Sequence, residues 1–292
     1  MTLGLSIAFG VWLLAQCKTS RPDGDLVRGL HPYRRLAGFI MTRRSESVVY
    51  MDSAVPAEQL VAYLKKHEGE GITLTHLLVA AIGEGLARHP RLNRFVVGKR
   101  LYQRRGRFVT FSMKRKKLDA KAKLAMVKLQ HSSDENLVQL AARIDAQIGE
   151  QRSGKATYAD KEYRLFNALP RPVLSAAVSL LSWLDANNWL PGFFIADDGL
   201  YTSVVIANLG SLAMPAPSHH LYEWGNCPLF MGVGAIEERA EVVDGEVVVA
   251  KVLPIRWTFD ERIEDGLTAR GGLDDVLGLL ADPAAAFGDS QA

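Results

Sequence analysis

Cysteine is scarce: Cys17 and Cys227 are the two present in 292 residues. Two thiols cannot build a disulfide framework, and they lack the paired spacing of a zinc site. Free thiols and no structural metal are expected. An excess of one charge is lacking too. The formal net charge is +3 and the basic residues are spread along the chain, which excludes a nucleic-acid-binding stripe but leaves room for an anionic small molecule. No apolar run reaches the roughly 20 residues of a membrane span. The apolar start, Leu3 to Gln16, carries no charge, but it is shorter than a span and has no basic residues ahead of it, as a secretory signal would. Gln16 also precedes Cys17 where lipidation requires a small residue. The start reads as a terminal helix docked on the core or as a misplaced start codon. The expected location is cytoplasmic, with membrane association through this segment left open. No repeat and no interior linker appear, so the chain reads as one folding unit.

What is present is an apolar fraction of 48%, ample for a packed core. Residues 1–32 read as the apolar segment and an extended lead-in, 33–282 as one domain and 283–292 as a tail. "SVVYMDSAV" has the β-branched and aromatic content of a strand, and "PAEQLVAYLKKH" follows as a helix. In "TLTHLLVAAIGEGLARHP" Leu77, Leu78, Ala81, Ile82 and Leu86 recur at helical spacing, and Pro90 ends the helix. "RLYQRRGRFVTFSM" reads as a hairpin turning at Gly106, and "KLAMVKLQ" as a strand. Ser132 and Glu135 stand at capping-box spacing before a helix whose stripe is Leu137, Leu140, Ala141, Ile144 and Ile148. "RSGKATYADKE" is a polar connector. The region from Leu165 to Ile195 is helical, very apolar and broken by prolines. Strands return in "LYTSVVIANLG" and "CPLFMGVGAI", then in "AEVV" and "EVVVAKVLPIRWTF", joined at Asp244-Gly245, a hairpin signal. A glycine-rich helix, "DGLTARGGLDDVLGLLAD", ends the domain. The order of elements predicts a mixed α/β domain with helices covering a sheet.

Five stretches carry a resemblance: "LTHLLVAAIGEGLARHPRLNRF", "KLAMVKLQHSSDENLVQLAARI", "SVVIANLG", "CPLFMGVGAI" and "WTFDERIEDG". In this order, from about Tyr33 to Asp282, they resemble the catalytic domain of the dihydrolipoamide acyltransferases of 2-oxoacid dehydrogenase complexes and chloramphenicol acetyltransferase. The resemblance implies an α/β two-layer sandwich of the chloramphenicol acetyltransferase type, a mixed sheet covered by helices. It also implies a homotrimer, with a larger cage open, and an intersubunit channel for coenzyme A and the acyl acceptor. No covalently bound lipoyl group is expected. The family motif is a histidine followed four residues later by Asp-Gly. Here Asp260, Arg262, Asp265 and Gly266 match, but Glu261 stands at the histidine position. Ala207 stands where the family has a serine for the oxyanion, and Ser211 is the nearest hydroxyl.

Three readings of the site follow. Glu261 is itself the base, with a pKa raised by desolvation. Alternatively, His219 or His220 of "PSHHLYEWGNCP" supplies the imidazole, a base matched to neutral pH, with Glu261 as its acidic partner. Or chemistry is lost, and the chain is a trimeric scaffold or an acyl-CoA or lipid binder. The leading expectation is coenzyme A-dependent acyl transfer to a hydroxyl, thiol or amine. His219, His220, Glu261, Asp265 and Ser211 are its catalytic candidates. Asp265 holds the loop, through Arg34 or Arg35, and donors near Gly210 or from Ser211 face the oxyanion. Asn208, Gly210, Lys114 and Arg115 are the candidates for binding the cofactor. Lys114 and Arg115 open a run of six basic residues ending at Lys123, which as a plain charge run is a solvated loop. Cys227 reads as a buried thiol. Leu165 to Ile195 reads as core or subunit contact, with an acyl-chain or membrane contact as the functional alternative.

Overall fold

The computed structural model describes residues 10, 12, 13, 16–115, 124–153 and 164–288. The connector at 154–163 and most of the basic run, 116–123, lie outside the described residues.

The main sheet has seven strands. Its path runs β2 (Val48–Pro56), β10 (Glu246–Asp260), β8 (Leu229–Val233), β7 (Val204–Asn208), β5 (Arg107–Lys114) and β6 (Leu124–His131), with β9 (Glu237–Val243) paired to the first half of β10. The pairs β5–β7 and β7–β8 are parallel and the others antiparallel. A small second sheet joins β1 (Gly24–Leu26), β4 (Arg100–Arg104) and β3 (Arg94–Val97). Strand alternation divides the main sheet into two faces. One face, with Val109, Phe111, Val204, Ile206, Leu229, Met231, Trp257 and Phe259, forms the main core. Helices α3 (Glu58–Lys66), α4 (Leu74–Arg88), α5 (Leu137–Arg152) and α8 (Gly266–Ala281) contribute to that core. The α4 helix is buried nearly all round, as a helix packed against both a sheet and other helices must be. The second face, with Val205, Phe230 and Cys227, is covered instead by the irregular segment that follows β7. The two-layer sandwich expected from the sequence is the fold observed.

Several local expectations are corrected. The predicted hairpin at Gly106 does not form: β4 joins the small sheet and β5 the large one. The chain parts there because Arg104 is drawn into a buried cluster, donating to the backbone and side chain of Asn226 at 3.1 and 2.7 Å, while β4 finds its partners in β1 and β3. The lead-in is ordered through the same cluster: Arg21 pairs with Asp23 at 2.9 Å and Asp185 at 3.0 Å, and Asn226 donates to Asp23 at 2.6 Å. Helix α5 is capped by Asn136, which accepts from the Gln139 amide at 2.9 Å, and not by Ser132. Glu135 pairs with Arg143 instead. The segment from Pro283, expected as a tail, starts with α9 (Pro283–Phe287), whose Phe287 packs on the core.

The localisation expectation is overturned. Among the described residues no helix is long and apolar enough to cross a membrane. The end of the apolar start lies on the protein itself: the Gln16 carbonyl accepts from Arg100, the Lys18 carbonyl accepts from Asn188 at 2.7 Å, and the Lys18 ammonium sits 4.4 Å from the Trp189 ring. The helices α1 (Pro32–Ile40) and α2 (Arg44–Ser47) open the domain, and the Leu165 to Ile195 region forms α6 (Arg171–Ala186) and α7 (Gly192–Asp197), directly before β7 in sequence. Leu180, Trp183, Trp189 and Phe193 remain exposed there, while Leu190 and Ile195 are buried.

Gly83 in α4 is a position where packing dictates residue type. A Cβ there would come within 2.1 Å of the His131 ring. Glycine costs a helix about 1 kcal/mol relative to alanine, so Gly83→Ala gains that propensity but overpacks the helix–sheet contact. A net loss of about 1–2 kcal/mol is expected from the usual cost of overpacking, read as a lower urea midpoint. An unchanged midpoint would show that α4 can retreat freely.

Candidate functional site

Strand β10 ends on a carboxylate with almost no access to water, since Asp260 is 1% exposed. Its oxygens accept from Arg262 Nε at 2.8 Å, from Arg262 Nη2 at 2.7 Å and from the Arg262 amide at 3.1 Å. The remaining guanidinium nitrogen, Nη1, donates to the Met41 carbonyl at 3.0 Å. The turn is therefore closed around a bidentate pair. Glu261 is held by its backbone: its N–H donates to the Ser47 carbonyl at 2.9 Å and its carbonyl accepts from Arg34 Nη1 at 2.6 Å. The Glu261 side chain is half-buried and makes no hydrogen bond or ion pair among the described residues. The frame around the position is complete and does not use the side chain it presents.

The arginine that holds the turn does so through a different acid from the one expected. Glu264 is buried and meets Arg94 at 3.0 Å, Arg34 at 3.5 Å and Arg91 at 3.7 Å. Asp265 points outward and caps α8, accepting from the Thr268 amide at 2.9 Å. That hydrogen bond holds its carboxyl below the usual range. Arg34 is thus the clamp, and Arg35 is exposed.

His219 and His220 lie over the second face of the sheet. The His219 ring stacks on Phe230 with centroids 4.0 Å apart and on His220 at 4.8 Å, and its carbonyl accepts from Thr258 Oγ1. His219 Nδ1 is 2.6 Å from the His220 carbonyl. A carbonyl only accepts, so Nδ1 carries a proton, and in the neutral ring Nε2 is the acceptor. Nε2 faces the Tyr222 hydroxyl at 3.4 Å. The His220 ring is exposed, stacks on His219 and meets Tyr222 edge-on. Neither imidazole bonds Glu261 within the chain; the His220 carbonyl fills the orienting role assigned to that acid.

The oxyanion and cofactor candidates gather at the other end of the sheet. Asn208 Oδ1 accepts from the Gly210 amide at 3.0 Å, and Asn208 Nδ2 reaches Thr75 Oγ1 at 3.5 Å. The Gly210 amide is therefore already engaged, while the exposed Ser211 hydroxyl and amide make no hydrogen bond among the described residues. A Cβ at Gly210 would lie 2.8 Å from the Gly234 carbonyl, so glycine is needed there for close approach. Lys114 ends β5 three residues beyond Phe111, which pairs with Ile206 in the parallel strand. This puts Lys114 near the level of Leu209, and Arg115 reaches Gln151 at 3.5 Å. Ala207 pairs with Gly232 and Gly232 with Arg256. Asp260 is four residues further, about 14 Å along the strand at about 3.4 Å per residue, and two strands across. One chain alone does not bring Ser211 to Glu261.

Thr75 and His76 escaped the sequence reading. His76 is buried, accepts from the Thr73 amide at 3.2 Å and pairs with Asp145 at 3.4 Å. Burial lowers its pKa, and both ring nitrogens are used, so it acts as a cap. The Cys227 thiol is buried and pushed up by desolvation, unlike a reactive thiolate. Among the described residues no group of three acidic, histidine or cysteine side chains could hold a metal ion.

Comparison with known proteins agrees with this architecture. The family model described as 2-oxoacid dehydrogenases acyltransferase (catalytic domain) matches residues 202–287. The dihydrolipoyllysine-residue acetyltransferase component of the Bacillus subtilis pyruvate dehydrogenase complex is 47% identical over 53 residues, 18% of this chain and 12% of that protein. The chain thus matches about an eighth of that relative's length. A probable dihydrolipoamide acetyltransferase from Listeria monocytogenes superposes with a TM-score of 0.59 at 17% identity, over 92% of this chain and 98% of that one. A chloramphenicol acetyltransferase gives 0.51 at 12%, over 88% and 99%. The resemblance read from the five stretches holds, and the fold is that of these acyltransferases.

If Asp260 holds the turn, Asp260→Asn leaves Arg262 buried without its counter-charge. Breaking such a pair costs about 3–5 kcal/mol. Asp265→Asn keeps a competent cap and leaves stability close to wild type. Denaturant titration of both variants checks the order; the reverse order would make Asp265 the anchor.

Proposed function

We propose that this chain is a coenzyme A-dependent acyltransferase whose base is His219. One observation carries the reading: the bond from Nδ1–H to the His220 carbonyl makes Nε2 of His219 the acceptor nitrogen, facing the Tyr222 hydroxyl in a long contact at 3.4 Å that an incoming acceptor group would replace. That is the tautomer a general base requires. Nε2 takes the proton from a hydroxyl, thiol or amine as that group attacks the acyl thioester, and returns it to the departing thiolate of coenzyme A. The sites are formed between copies of the chain in a homotrimer. In support, the Ser211 end and the Glu261 end are separated within one chain by the strand register. Ser211 meets the oxyanion, and Glu261, with no partner among the described residues, faces the neighbouring copy. Lys114, Arg115 and Asn208 lie at the sheet end where the N-terminus of α4 also points, through Thr75; the positive end of the helix dipole suits the phosphates of coenzyme A there.

The β9–β10 hairpin supports assembly. It turns at Asp244 and Gly245, both with positive φ, and projects past the end of β2, which pairs with β10 only from Val252 onward. Val242, Val243, Val247 and Val249 are at least half exposed on it. An apolar arm with unpaired edges is a liability unless another surface covers it. A second copy is that surface in this reading.

The alternative is a catalytically silent scaffold that binds acyl-CoA or lipid, favoured by the pairing of Glu261 with Ala207 at the two family positions. Release of free coenzyme A from a panel of acyl-CoAs, with hydroxyl, amine and dihydrolipoamide acceptors, separates the two. Turnover is expected, falling by about 10²- to 10⁴-fold in His219→Ala, the usual range for a lost base. His220→Ala keeps the carbonyl and falls less. Saturable binding without turnover selects the scaffold. For the assembly, Val247→Lys combined with Val249→Lys is expected to convert the oligomer to monomers in sedimentation velocity. An unchanged oligomer removes the hairpin from the interface.

A further inference from the structure

The short turn α2 touches both segments that carry candidate catalytic groups. Arg44 is 5% exposed. Its Nη1 donates to the Cys227 carbonyl and its Nη2 to the Gly225 carbonyl, each at 2.7 Å. Its backbone N–H donates to the Glu223 carboxylate at 3.0 Å. These three bonds fix residues 223–227, the base of the loop that presents His219 and Tyr222. Three residues on, Ser47 Oγ donates back to the Arg44 carbonyl at 3.2 Å, and the Ser47 carbonyl receives the Glu261 N–H at 2.9 Å. The Asp260 N–H donates to the Pro228 carbonyl at 3.0 Å. The path Arg44, Cys227, Pro228, Asp260, Glu261, Ser47 and back to Arg44 is a closed ring.

We propose that Arg44 is a positioning residue that sets the placement of the His219 loop relative to the turn at Glu261. Its catalytic consequence rests on the acyltransferase reading above; the mechanical coupling does not. The guanidinium is buried and touches no open surface, so it acts only through the segments it holds. Arginine suits the task because its rigid planar fork meets two carbonyls at once, which a lysine point charge does not. The charge is tolerated because Asp260 and Glu223 lie close, although burial still lowers the Arg44 pKa. Apart from the ring, the base of the loop is anchored by Asn226, which Arg104 holds, and by the Trp224–Asp198 bond at 2.6 Å, while its tip is tied to β10 by Thr258 and Arg256. None of these contacts reaches residues 261–264. Arg44 is the side chain that ties residues 225–227 to α2, and through the Ser47 carbonyl to Glu261.

The test pairs amide hydrogen exchange, read by mass spectrometry over 219–228 and 258–265, with steady-state turnover in Arg44→Met, Arg44→Lys and Glu223→Ala. Arg44→Met is expected to speed exchange in both segments together and leave 107–114 and 124–131 unchanged. In the same variant kcat falls about 10- to 100-fold, as for misplacement of a catalytic group by about an ångström, while KM for acyl-CoA changes little. Arg44→Lys does not restore either property. Glu223→Ala removes one exposed carboxylate and produces the same paired loosening to a smaller degree, so it carries the comparison if Arg44→Met does not fold. Faster exchange confined to 219–228 would overturn the coupling. Loosening of both segments with kcat unchanged would overturn the positioning role. If the wild-type protein turns nothing over, the acyltransferase reading fails, and the exchange comparison alone decides whether Arg44 couples the two segments.

Discussion

The Asp260 carboxylate must be satisfied without water, and much of the site follows from how it is satisfied. A buried carboxylate without a counter-charge is strongly destabilising, so Arg262 folds back onto it, and the chain turns tightly at 260–262. The guanidinium then has one nitrogen left over, which Met41 at the end of α1 occupies. From α1, Arg34 returns to the Glu261 carbonyl and to Glu264. A strand end, a turn and a helix far apart in sequence become one unit. Nothing in that unit depends on the side chain at position 261.

This independence means that the turn does not require a particular side chain at position 261. All of the contacts that fix residue 261 come from its own backbone or from neighbours. A substitution there alters what is presented to the outside of the frame and leaves the frame intact. The opposite holds at Gly210, where Gly234 approaches too closely for any Cβ. The two ends of the sheet therefore constrain function differently: one fixes a backbone and leaves the side chain open, the other fixes the residue type.

The sequence made the strands and the long helices legible because their periodicity answers to burial on one face, and Asp244-Gly245 was legible because few residue pairs tolerate two positive φ angles. What it hid were choices between adjacent polar residues. Asn136 and Ser132 are both good caps, and the helix start decides between them. Glu264 and Asp265 are both acids beside Arg34, and only the direction of each side chain, inward for Glu264 and outward for Asp265, assigns one to the clamp and the other to the cap. The parting of β4 from β5 was hidden for another reason. Arg104 looks solvated in the sequence and becomes buried because Asp23 and Asn226 come to it from remote segments. Of the candidate site, the histidine pair and the motif turn were readable as residues; the bond that selects the His219 tautomer was not, since it depends on the conformation of a loop with no periodicity.

The location of His219 bears on the proposal that it is the base. The motif turn lies at the end of β10, whereas His219 sits over the middle of the second face, its carbonyl bound by Thr258 two residues before Asp260. Stacking on Phe230, a residue of the central strand β8, fixes the ring plane, and the His220 carbonyl fixes the proton. Orientation and tautomer, which an acid partner supplies in a triad, are here supplied by an aromatic ring and a backbone carbonyl. A backbone carbonyl stays neutral through the reaction and stabilises an imidazolium less than a carboxylate does, which leaves a defined task for a free acid such as Glu261 if it approaches from a second copy. The geometry thus provides an oriented imidazole and, among the described residues, a carboxylate without a partner on a rigid frame; the proposed site needs the two to meet across an interface.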